Sequence, residues 1–121
     1  MNIPTAIIEI AEHYGLESRK NQLMEEMGEL TQAICKEKRT RGFGEPTNKT
    51  PQEIEDSIVE ELADVYIVVL EMIHLLGVKK VMGMVAKKIK RTKERMKKTR
   101  DVYKNDTKRN NGTKECDCLL P

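Results

Sequence analysis

Between Thr50 and Gly77 the chain repeats apolar residues at helical spacing: Ile54, Ile58, Leu62, Val65, Val69, Met72, Ile73 and Leu76 form one wide apolar face. The signals at its two ends agree with that period. Thr50 is followed by Pro51 at the first helical position and by Glu53 three residues on, the sequence form of a capping box, and Gly77 supplies the stop. A long amphipathic helix of this kind must bury its face against other elements, so it constrains everything around it.

The flanking segments read the same way. Ile3, Ile7, Ile10 and Tyr14 predict a first helix that tolerates Pro4 in its first turn, reaches His13 and stops at Gly15. A second helix is expected after Ser18 as N-cap, with Leu23, Met27, Leu30 and Ile34 on one face and an end among Lys36, Lys38 and Arg39. The stretch TRGFGEPTNKT, residues 40–50, carries the Gly and Pro of a flexible loop long enough to serve as a lid. A fourth helix is expected from Lys79 to about Arg100, with Val81, Met84 or Val85, Ile89 and Met96 as its buried stripe. Gly83 weakens its start. After Tyr103 no apolar period remains, and residues 104–121 read as a disordered tail behind a folded domain of residues 1–103.

The expected fold is therefore all-α, a bundle of about four helices. Composition supports it: there is no Trp, one Phe and 35% charged residues, so the core must come from Ile, Leu, Val and Met rather than from a β-sandwich. A 121-residue chain is short, and a domain of this size buries only about two-thirds of its unfolded surface, so completion by oligomerisation is expected. No apolar run approaches the roughly 20 residues of a membrane span, and MNIPTAIIEIAEHYG does not resemble a signal peptide, which predicts a cytoplasmic protein. Cys35, inside a helical pattern, and Cys116 and Cys118, in the tail, give no disulfide framework.

Net charge is only +2 but is segregated. Residues 1–78 hold 7 Lys/Arg against 15 Asp/Glu, a net of −8, whereas residues 79–121 hold 15 against 5, a net of +10. This split fits a cation site facing a phosphate-binding segment, and equally fits a solvated basic helix with a basic tail.

Two acidic motifs bear on the first option, although their spacing alone fits ordinary solvated helix faces as well as a metal site. LMEEMGEL contains Glu25, Glu26 and Glu29, and VEELADVY contains Glu60, Glu61 and Asp64. Residues three apart share a helix face, so Glu26 with Glu29, and Glu61 with Asp64, each direct two carboxylates to one side. Antiparallel packing would bring all four together, bordered by Met27, Leu30, Leu62 and Val65, which places the acids toward the seam of the bundle. Like charges there are costly without a counter-ion, and oxygen-only ligands select Mg²⁺, with Mn²⁺ as a substitute, over zinc. A helical di-iron centre would need two Glu-x-x-His motifs, and only Glu71 with His74 is present. No Gly-rich phosphate loop ending in Gly-Lys-Ser/Thr occurs, which argues against a P-loop ATPase.

The EExxE pattern from Glu25 to Glu29, followed by ExxD from Glu61 to Asp64, resembles the signature of the MazG-like, all-α nucleoside triphosphate pyrophosphohydrolases over residues from about 18 to 95. The resemblance implies Mg²⁺ ligation by Glu26, Glu29, Glu61 and Asp64, with Glu25 and Glu60 either supporting those ligands from outside or helping to position the attacking water. It implies phosphate contacts from the last helix, where KIKRTKER supplies Lys88 and Arg95. Thr92 stands where the family pattern has Asn, and Lys87, Lys90 or Arg91 could substitute. Phe43, on the loop, is a candidate to stack on a base. The implied reaction is Mg²⁺-dependent cleavage of (deoxy)nucleoside triphosphates to a monophosphate and pyrophosphate, a housekeeping task on the nucleotide pool, performed by a homo-oligomer (dimer or tetramer). Two other readings remain at this stage: nucleic-acid binding through residues 79–109, disfavoured by the lack of interleaved aromatics, and a helical regulatory protein without turnover.

Overall fold

The computed structural model describes residues 1–45 and 47–109. Three helices run in order, α1 (Ile3–Thr40), α2 (Pro51–Leu76) and α3 (Val78–Arg109), with no strand among the described residues. The all-α expectation holds, and the helix count is three because the first two expected segments are joined.

The joint is Gly15. Its φ of 79° and ψ of 169° lie in a region that essentially only glycine enters, and this one residue separates two helical stretches inside α1. The expected stop is therefore real, while the expected cap is not. Ser18 lies inside the resumed helix, and its Oγ accepts a hydrogen bond from Arg19 Nη2 at 3.1 Å. Since Gly15 absorbs the whole change of direction, no second capping residue is needed. At the start of α1, Asn2 accepts from the Thr5 amide, with Pro4 in the first turn.

The signals around α2 act as expected. Thr50 Oγ1 accepts from the Glu53 amide, and Glu53 Oε2 accepts from the Thr50 amide at 2.8 Å, so both arms of the capping box form. Gly77 ends the helix at a φ of 109°. The α1–α2 connection turns through Gly42 and Gly44, both at positive φ.

Residues 1–81 form one compact unit and the described residues from 82 onward a second. In the first unit α1 and α2 pack as an antiparallel hairpin, shown by cross-helix contacts that move in opposite directions along the two helices: Glu12 with His74, Arg19 with Glu71, and Glu29 with Glu61. The interior is thin, with Ile7, Ala11, Ala33, Ile54 and Val68 as its buried apolar residues. Much of the expected apolar stripe stays in contact with water in the single chain, including Met27, Ile34, Leu62 and Leu76.

The second unit is the body of α3. It runs to Arg109, nine residues past the expected end and across the boundary placed at residue 103. The segment Lys104–Arg109 lacks an apolar period, yet it contains no Gly or Pro to break a helix already under way. The remainder of the expected tail, with Cys116 and Cys118, lies outside the described residues. The stripe expected to be buried on this helix is exposed in the single chain at Met84, Val85, Ile89 and Met96, and half-buried at Val81. Nothing within a lone amphipathic helix can cover its own apolar face.

One contact inside the hairpin has no counterpart in the sequence reading. Arg19 and Glu71 are both buried, and Arg19 Nη1 donates to Glu71 Oε2 at 3.0 Å. The guanidinium carbon also lies 4.4 Å from the centre of the Tyr14 ring. Such a pair adds little net stability compared with apolar residues, but losing one partner strands a buried charge. Arg19→Met should therefore lower the unfolding free energy by about 3–5 kcal/mol in a urea titration, and adding Glu71→Met should recover most of that loss. Equal losses in the single and double variants would contradict it.

Candidate metal centre

The antiparallel register decides which carboxylates meet. Glu26 and Glu29, one turn apart on α1, face Glu61 on α2, and one oxygen from each of the three lies within 4.8 Å of the others. Gln22 Nε2, a turn before Glu26, donates a hydrogen bond to Glu26 Oε1 and orients it. Asp64 is half-buried one turn beyond Glu61; it stands outside this trio, but its charge acts on Glu61.

Glu61 carries the electrostatic load of the cluster. Its carboxyl is pushed above the ordinary value of 4.5, first by local loss of water, then by the charge of Glu29 and a side-chain hydrogen bond with it, then by Asp64 and Glu60. Although the residue as a whole is half-exposed, Glu61 Oε2 is enclosed and has no hydrogen-bond partner. An enclosed, unpartnered carboxylate oxygen beside two further carboxylates is a donor set that a hard divalent cation satisfies. Protonation or a cation are the two ways to relieve it.

The remaining candidates are distributed as follows. Glu25 and Glu60, the leading acids of the motifs, are exposed, and Glu60 acts on Glu61 through its charge. Lys88, Arg91 and Arg95 are exposed on α3, and their steps of three and four place them on one helix face. Thr92 donates its hydroxyl to the Lys88 carbonyl at 3.0 Å. Phe43 is exposed on the connection. Glu71 and His74 are engaged with other side chains: Glu71 is held by Arg19, and half-buried His74 sits 3.1 Å from Glu12. The Arg19–Glu71 pair is not legible in the sequence because the partners are 52 residues apart and Arg19 belongs to no motif.

No curated protein and no solved structure matches the chain. The model of the MazG nucleotide pyrophosphohydrolase domain matches residues 15–96, which span both acidic motifs, the intervening loop and the basic part of α3 as far as Met96. The match takes in most of the chain, from the Gly15 joint onward, and the chain belongs to the MazG nucleotide pyrophosphohydrolase family.

Proposed function

We propose that the protein hydrolyses (deoxy)nucleoside triphosphates to a monophosphate and pyrophosphate with Mg²⁺, or Mn²⁺ in its place, held by Glu26, Glu29, Glu61 and Asp64. The observation that carries this reading is the convergence of three carboxylates within 4.8 Å, one with an enclosed, unpartnered oxygen, in a family of nucleotide pyrophosphohydrolases. Bound there, the cation supplies charge neutralisation for the triphosphate and acidifies a water.

The chain's own residues do the rest. Glu61, already inclined to hold a proton, is the acid most affected by cation binding, and Gln22 fixes the Glu26 carboxylate in a single orientation. Glu25 and Glu60, exposed beside the cluster, accept protons from the attacking water and hand them to solvent. Lys88, Arg91 and Arg95 bind the phosphate tail, and their shared face on α3 supports that role. The exposed apolar residues of the single chain, among them Leu62, Tyr66, Ile89 and Met96, support a homo-oligomer, dimer or tetramer, in which they are covered. No described helix is long and apolar enough to cross a membrane, in keeping with a cytoplasmic enzyme acting on the nucleotide pool.

Phosphorus NMR of a nucleoside triphosphate incubated with the protein should show a monophosphate and pyrophosphate in equal amounts with Mg²⁺ and neither with chelator. Glu61→Ala should reduce the rate by at least about 100-fold, comparable with losing a principal electrostatic element. Formation of diphosphate and orthophosphate, or turnover that survives the substitution, would sink the proposal.

The raised Glu61 carboxyl has a separate consequence for stability. The folded state binds a proton that the unfolded state releases, so the metal-free protein loses stability as pH rises above 4.5. In chelator, Glu61→Gln should melt higher than wild type at pH 8, with the gap closing toward pH 4, and Mg²⁺ should raise the melting temperature of wild type alone. An unchanged gap across that range would refute the electrostatic reading of the cluster.

A further inference from the structure

A cavity of about 600 Å³ opens between the last turn of α1 and the first two turns of α2, at the loop end of the hairpin. Ile54, Ile58 and Val59 give it an apolar wall, and Glu37, Arg41 and Glu55 give it a polar edge. Small-molecule sites combine these features, within a range of roughly 300–1,000 Å³.

Its place relative to the acids is set by helix geometry. Ile58 is three residues before Glu61, so the two share a face of α2 and lie about 5 Å apart along the axis, while Ile54 is about 10 Å away. The cavity therefore begins one turn from the carboxylates and extends away from them, on the span that a sugar and base would cover if the α-phosphate sat at the acids. Its polar groups are differently committed. Arg41 Nε pairs with Glu37 Oε1 at 2.8 Å, which holds the guanidinium at the cavity, whereas Glu55 forms no ion pair among the described residues. A planar guanidinium offers a face for stacking, and an unspent carboxylate accepts hydrogen bonds from ring or exocyclic N–H groups.

We propose that this cavity is the nucleobase subsite, with the base against Ile54, Ile58 and Val59, stacked by Arg41 and read at its N–H edge by Glu55. Bases that bear an exocyclic amine, as cytosine does, are favoured over uracil because the amine offers that carboxylate two N–H donors where uracil offers its single ring N3–H. This assignment rests on the triphosphate reading above, but it concerns a different part of the ligand and can fail independently of it.

The test uses nucleosides, which carry no phosphate. Cytidine and uridine are titrated into ¹⁵N-labelled full-length protein without metal, and wild-type pyrophosphate release from methyl triphosphate with Mg²⁺ is followed in parallel. Cytidine should shift the amide signals of Arg41, Ile54 and Val59 saturably, should leave those of Glu26 and Glu29 in place, and should bind more tightly than uridine. Val59→Trp, at an exposed position that accepts the larger ring without repacking the interior, should weaken cytidine binding by about tenfold or more. Glu55→Gln should narrow the cytidine–uridine difference. No saturable shift in the cavity, or binding that Val59→Trp leaves unchanged, would overturn the subsite even if methyl triphosphate is cleaved. Uncleaved methyl triphosphate alongside cytidine binding at the cavity would support the subsite and count against the triphosphate reading instead.

Discussion

Antiparallel packing of α1 on α2 fixes which side chain faces which, and the acidic cluster depends on that register. With Glu29 opposite Glu61 and Arg19 opposite Glu71, ten residues of one helix match ten of the other, so the two contacts belong to a single alignment. The buried ion pair sits nearly three turns from the carboxylates and tolerates no slip, since any shift would leave a charge enclosed without a partner. A pair that contributes little to net stability can in this way determine where the carboxylates converge. Gly15 is part of the same arrangement, because it redirects α1 just before Arg19.

Charge segregation places the cost of the cluster where a ligand relieves it. Carboxylates drawn to a helix seam repel one another, and Glu61, one oxygen of which is enclosed, holds its proton more firmly as a result. Such a site is poor as a structural element and good as a receptor for a hard cation. The positive charge that would complement a triphosphate is carried on α3, in the opposite half of the sequence, so the two sets of like charges are kept on separate elements.

Features set by neighbouring residues were legible in the sequence. The Thr50–Glu53 box, the Gly77 stop and the Gly15 break each involve residues within one turn, and each forms. Continuity of α1 was not legible, because an isolated glycine can end a helix or merely bend the path, and Ser18 looked like a cap without being one. The continuation of α3 past Arg100 was hidden for a different reason: a polar helix held by its own backbone has the same composition as a polar tail. At the cluster, the sequence placed four acids on two helix faces, but only register could decide that Glu26, Glu29 and Glu61 approach to within 4.8 Å while Asp64 acts on Glu61 from a turn away. The loop-end cavity was equally invisible, since it is formed by residues on two helices that carry no shared motif.

Mn²⁺ titration followed by electron paramagnetic resonance tests, without requiring turnover, whether this cluster holds a divalent cation. Wild-type protein should deplete the free Mn²⁺ signal saturably, Mg²⁺ should restore it by competition, and Glu61→Gln should weaken that binding by at least about tenfold, as loss of a ligand does. Binding of equal strength in the wild type and the variant, or no saturable binding at all, would contradict the account.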